Sequence, residues 1–129
     1  MIEYFRVIYS NEVDKFFDTL DDKSREKIIY NIDKAKFTLD PKLFKKLNND
    51  IWEFRTKYKK TQFRLLAFWD KRDKQDILVI ATHGFIKKAQ KVAQSELDKA
   101  IRIKEIYFKI NSDENKEYTY LLSYREKRN

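Results

Sequence analysis

The 129-residue chain has no cysteine and only one histidine, one glycine and one proline. Without cysteine there is no disulfide framework and no thiolate metal site, and a lone histidine excludes a histidine-rich one. No apolar run approaches the roughly 20 residues needed to span a bilayer. The start, Met1-Ile2-Glu3-Tyr4-Phe5-Arg6, lacks the charged opening and long apolar region of a signal peptide. The expectation is a soluble cytoplasmic protein without membrane segment, metal or cofactor.

Hydrophobic residues make up 42% and aromatics 16%, too apolar for a disordered chain despite 39% charged residues. The length fits one domain with a real core. The net charge of +8 is unevenly spread. Residues 1–41 hold 7 basic and 9 acidic groups, residues 42–74 hold 11 basic against 4 acidic, and residues 85–109 hold 7 against 3. Such clustering favours an anionic partner, nucleic acid or an acidic protein. A solubilising lysine-rich surface fits the charge equally well.

Ile2 to Tyr9, rich in β-branched and aromatic residues, predicts a first strand. Ser10 or Asn11 then caps a helix in which Val13, Phe16, Phe17 and Leu20 share one face. Asp21 and Asp22 break it and cap a second helix with an Ile28, Ile32, Ala35, Leu39 stripe, which Asp40-Pro41 ends. The two helices read as an antiparallel hairpin covering one sheet face. Leu43 to Leu47 reads as a basic connector, and Ile51–Lys57, Thr61–Trp69 and Ile77–Thr82 as a three-strand meander. Ser95 caps a last helix, with Asp98 completing an S-x-x-D start and Leu97, Ile101 and Phe108 on its apolar side. The order β-α-α-β-β-β-α makes the fold α+β with a mostly antiparallel sheet. Residues 1–108 form the domain, and 109–129 an extension whose alternating tyrosines suggest an edge strand or a docking tail.

The cations of the strand region carry the chemistry. Arg55 and Arg64 sit on neighbouring strands. Each is either a solvated side chain or half of a cross-strand ion pair, or both converge on one phosphate, which the planar guanidinium fork suits. His83 is either a strand-end histidine with a backbone partner or a group that moves a proton in phosphodiester cleavage. Gly84 allows a turn or a close ligand approach. Phe85 is core or a stacking platform for a base. Lys87 and Lys88 open a helix-like run, solvated or holding a backbone phosphate.

The succession Lys46-Leu47, Trp52-Glu53-Phe54-Arg55, Phe63-Arg64-Leu65 and His83-Gly84-Phe85-Ile86-Lys87-Lys88 resembles the RelE/ParE toxin superfamily. Its "strand, G-F-x-K-K, helix" ending is most similar to the HigB-like, phage-derived branch. Ser95-Glu96-Leu97-Asp98-Lys99-Ala100 resembles the closing helix of that family. The resemblance implies a small α+β toxin of a type II toxin–antitoxin pair that cleaves mRNA on the ribosome without a metal. In that chemistry the ribose 2′-hydroxyl attacks the adjacent phosphate and basic side chains stabilise the added charge. It further implies Arg64 for transition-state stabilisation, Arg55 and Lys46 on flanking phosphate, and Lys87 and Lys88 on RNA. His83 is the candidate for proton transfer, and Lys45, Phe85 and Lys91 add RNA contacts. The implied partners are mRNA on the ribosome and a cognate antitoxin with a helix-turn-helix.

The sequence departs from the family in three respects. No residue after Thr82 matches the tyrosine that several relatives use as acid or base. The usual glycine of the first hairpin turn is replaced by Tyr58-Lys59-Lys60, and the chain from Asn111 exceeds the family length. Two other functions compete: a gyrase-poisoning ParE-like toxin and a non-catalytic nucleic-acid-binding module.

Overall fold

The computed structural model describes residues 1–111. The elements are β1 (Arg6–Tyr9), α1 (Asn11–Asp18), α2 (Asp22–Thr38), β2 (Phe44–Lys46), β3 (Trp52–Tyr58), β4 (Thr61–Asp70), β5 (Leu78–Ile86) and α3 (Gln94–Asn111). The strands form one sheet in the order β1-β5-β4-β3-β2, parallel between β1 and β5 and antiparallel elsewhere. This is the expected α+β fold with one more strand. Helix α3 continues past the expected boundary at residue 108, and the tyrosine-rich strand expected around 118–124 lies outside the described residues.

The sheet is covered on both sides. On one face Val13 and Phe17 of α1 and Ile28, Ile32 and Ala35 of α2 pack with Val7, Phe54, Phe63, Leu65 and Val79. Helix α1 lies against β5 and α2 against β3. On the other face Ala100 and Tyr107 of α3 pack with Ile51, Leu66, Phe68 and Ile80. Capping follows the sequence at both early helices. The Ser10 hydroxyl accepts from the N–H groups of Glu12 and Val13, and the Asp21 carboxylate accepts from that of Ser24.

Four local expectations are corrected. Strand β1 begins at Arg6, because the Tyr4 N–H donates to the Lys36 carbonyl (2.8 Å) at the end of α2 instead of joining the sheet. The basic connector contains β2, which is paired with β3 because Phe44 is buried in an aromatic cluster, 4.3 Å from the Phe54 ring and 5.3 Å from Phe5. Strand β5 does not end at Thr82 but runs to Ile86. Helix α3 starts at Gln94, with the N–H groups of Glu96 and Leu97 donating to the Ala93 carbonyl, so Ser95 lies inside the first turn and is not its cap.

The β3–β4 turn adopts a geometry that glycine favours, without a glycine. Tyr58 pairs with Thr61, leaving a two-residue loop in which Lys59 (φ 49°) and Lys60 (φ 68°) both adopt the left-handed conformation. Two-residue hairpins favour such a turn because its twist matches that of the strands, but side chains larger than asparagine strain there. Replacing the pair by the Asn-Gly sequence of such turns (Lys59→Asn with Lys60→Gly) is expected to stabilise the fold by roughly 0.5–1 kcal/mol. A thermal melt that rises by a few degrees confirms this; a lower midpoint refutes it.

Candidate nucleic-acid interface

Parity along the strands decides which cations meet. On β3, Glu53, Arg55 and Lys57 alternate with Trp52, Phe54 and Thr56. Phe54 belongs to the core under α1 and α2, so Glu53, Arg55 and Lys57 face the α3 side. Across the ladder Arg55 is the direct partner of Arg64, Lys57 of Gln62 and Lys45 of Glu53. Residues directly opposite share a face, so Lys45, Arg55, Lys57, Gln62 and Arg64 all lie on it.

Strand β5 reaches the same face through an irregularity. Leu66 pairs with His83 while Ala67 pairs with Ala81, so Thr82 is an extra residue in β5. Such a bulge shifts the alternation by one. Ile80 faces α3 before it; His83 and Phe85 do so after it, and Gly84 turns to the α1 side. There a Cβ on Gly84 would overlap the Phe16 ring, so the lone glycine permits a close approach of Phe16 and keeps an ordinary negative φ. Lys87 continues the pairing, its N–H donating to the Gln62 carbonyl (2.8 Å).

The expected site residues therefore divide. Lys45, Arg55, Arg64, His83, Phe85 and Lys87 share one face. Lys46 pairs with Trp52 and points to the other. Lys88 and Lys91 are exposed in the connection from β5 to α3, which is not helical at Lys88. Lys57 joins the group, a neighbour that alternation along β3 reveals once the strand is fixed.

At the centre lies a buried carboxylate between two guanidinium groups. Glu53 is 3% exposed, with one carboxylate oxygen 3.4 Å from Arg55 Nε and the other 3.5 Å from Arg64 Nε. Arg64 is 2% exposed; its Nη1 donates to the Phe63 carbonyl (3.1 Å) and its Nη2 to Gln62 Oε1 (2.7 Å). Burial pulls the Arg64 pKa below its ordinary value, opposed by Glu53 and assisted by Arg55. The Arg55 side chain is 32% exposed.

His83 is differently employed. Its ring is buried, with Nε2 2.8 Å from Glu96 on the first turn of α3 and Nδ1 3.0 Å from the Thr82 hydroxyl, which also lies 3.1 Å from the Leu66 carbonyl. The histidine links the bulge of β5 to the start of α3. Phe85 lies beside it, ring centroids 5.8 Å apart, against the α3 core. The far end of α3 has its own anchor: the Tyr107 hydroxyl donates to Asp70 (2.7 Å), and Arg72 donates to the same carboxylate (2.7 and 2.9 Å). These bonds hold the Asp70 pKa below its usual value despite the opposing effect of burial.

Burial lowers the His83 pKa against a smaller opposing effect of Glu96; Lys99 lowers it further and Glu12 raises it. The folded state thus favours the neutral ring, whereas the unfolded chain takes up a proton near the ordinary pH of about 6.5. Stability is present above that pH and declines as pH falls through it towards the depressed folded value. Melting temperature should drop between pH 7 and pH 5 in the wild type and change less in His83→Gln. Equal pH dependence in both would exclude the effect. A second expectation concerns the other anchor: Tyr107→Phe should cost about 1–2 kcal/mol in chemical denaturation, because it removes a buried hydrogen bond to a charged group.

A family model described as "Phage derived protein Gp49-like (DUF891)" matches residues 15–105. No curated protein matches the chain. The matched stretch runs from within α1 to within α3 and covers well over half of the chain. The chain belongs to this Gp49-like family, a RelE/ParE-like toxin family.

Proposed function

We propose that this Gp49-like chain is the toxin of a type II toxin–antitoxin pair and acts as a ribosome-dependent mRNA endonuclease of the HigB-like kind. The observation that supports this reading best is the gathering of Lys45, Arg55, Lys57 and Arg64 on one sheet face, with Lys87 just past the end of β5 beside them. In cleavage through the ribose 2′-hydroxyl, that oxygen attacks the adjacent phosphorus, the bond to the 5′-oxygen breaks, and negative charge builds on the phosphoryl oxygens. Fixed cations are most effective where charge develops in this way, because they need not reorganise during the reaction. Arg55 and Arg64 form the centre of the site, and Lys45, Lys57 and Lys87 hold flanking phosphates. Lys88 and Lys91, on the connection to α3, extend the cationic surface towards RNA.

His83 serves as a positioning group in this reading, since both ring nitrogens are engaged within the fold. Phe85 packs beside it at the border of the cationic area. The RNA is mRNA in the ribosome, in the cytoplasm, and a cognate antitoxin with a helix-turn-helix neutralises the basic face.

Inducible expression in a bacterium, with growth followed and mRNA 5′ ends mapped by primer extension, tests the reading. Growth arrest with new cuts in translated messages is expected. The cuts should fall by roughly 10²–10³-fold in Arg55→Ala, the scale of losing one charge-stabilising donor, and should also fall in Arg64→Ala, which removes the buried cation beside it. Arrest with intact mRNA points instead to a gyrase-directed toxin, and neither arrest nor cuts to a binding module.

A further inference from the structure

We infer that Glu53 and Arg64 form a buried clamp that aims Arg55, and that Arg55 is the guanidinium that meets the RNA phosphate; this rests on the endonuclease reading above. The two arginines differ in what their donors face. Both terminal nitrogens of Arg64 donate inward, to the Phe63 carbonyl and to Gln62 Oε1, and its Nε edge faces Glu53. With 2% of its surface exposed, it has no edge turned outward. Arg55 brings its Nε to Glu53 and keeps 32% of its side chain exposed, and among the described residues its Nη1 and Nη2 donate no hydrogen bond. That outer edge is the one that binds phosphate with two parallel hydrogen bonds.

Arg55 and Arg64 are direct cross-strand partners, a placement in which like charges repel. Glu53 is two residues before Arg55 on β3 and diagonal to Arg64 across the ladder, so its two oxygens approach one guanidinium each. The separations of 3.4 and 3.5 Å place the groups in ionic contact. Both Nε atoms and Glu53 Oε2 are buried without a hydrogen-bond partner. Charge, and not a fixed bond, therefore holds the trio, and the aim of Arg55 depends on the negative carboxylate lying between the two cations. Gln62 completes the clamp by holding Arg64 from the β4 side. Glu53, Arg64 and Gln62 are positioning residues, and Arg55 is the catalytic residue.

The test uses the full chain in two measurements. The first is cleavage of mRNA on purified ribosomes, giving kcat and KM. The second is binding of a 2′-deoxy, uncleavable RNA of the same sequence at several salt concentrations. Arg55→Ala should reduce the slope of log affinity against log salt by about one, the signature of one lost phosphate contact. Glu53→Gln keeps the size but removes the charge and replaces one acceptor oxygen by an NH2 donor. It should keep the salt slope while lowering kcat by about 10–100-fold, the scale of a small misplacement at a reacting centre. Glu53→Asp, which retains the carboxylate, should recover part of that rate. The clamp is overturned if Glu53→Gln melts earlier yet cleaves with the wild-type kcat, which would make Glu53 a packing residue only. It is also overturned if Arg55→Ala leaves the slope unchanged, a result available even if Glu53→Gln does not fold. Wild-type protein that binds but cleaves nothing refutes the endonuclease reading alone, and the slope of Arg55→Ala then decides the inference.

Discussion

The α3 face of the sheet depends on one extra residue in β5. Up to Ala81 the odd-numbered residues of this strand face α1 and α2; the bulge at Thr82 reverses the alternation. His83 and Phe85 are thereby aligned with Arg64, and Gly84 receives the Phe16 ring. Without the bulge His83 would enter an apolar core, where its ring would lack partners for two polar nitrogens. With it, the ring meets Glu96 and Thr82, and the Thr82 hydroxyl also reaches the Leu66 carbonyl. The bulge is thus held by side-chain hydrogen bonds at the point where it disrupts the ladder.

The charged trio shows that this face is not organised for stability alone. Burying a carboxylate between two guanidinium groups costs desolvation that the ionic contacts only partly offset, and hydrogen bonds usually satisfy such a group. Here three of the atoms in contact have none. The α1/α2 face presents the opposite case, with an aromatic cluster of Phe5, Phe44, Phe54, Trp52 and Trp69 whose neighbouring ring centroids lie between 4.3 and 6.3 Å apart. One face supplies most of the apolar burial and leaves the other able to carry unneutralised charge. Destabilised polar groups on a rigid, well-packed support are characteristic of sites that act on ligands.

Much of this was legible from the residues because periodicity carries it. The helices α1 and α2, with their N-caps and most of their buried stripes, and the strands β3 and β4 follow from spacing at 3.6 and 2; Leu39, expected on the α2 stripe, is instead its left-handed C-cap and is exposed. Alternation also places Glu53 with Arg55, and Phe63 apart from Arg64. Strand β2 was hidden because three residues are too few to show a period; Phe44 is committed by partners distant in sequence. The extent of β5 was hidden because a bulge breaks alternation where a strand would be read as ending. Lys45 and Lys46 looked equivalent as neighbours in a basic run, and only the register opposite Glu53 and Trp52 sends them to different faces. The inward engagement of Arg64 and His83 depends on Gln62, Glu53, Thr82 and Glu96 meeting in space, which a motif does not encode.

The border between scaffold and site is drawn by the strands themselves. On the α3 face the residues change from apolar to polar and charged along one line: Ile51 to Glu53 and Arg55 near β3, Leu66 to Arg64 and Gln62 on β4, and Ile80 to His83 on β5, with Lys87 just beyond it. These changes coincide because the antiparallel registers bring them side by side. Helix α3 follows the apolar half, anchored by Tyr107 on Asp70 at one end and by Glu96 on His83 at the border. A helix extended further over the charged half would bury Lys57 and the outer edge of Arg55, a cost that apolar contacts there would not offset. The same change of residue type that ends the cover over the sheet therefore keeps the cations available to an anionic ligand.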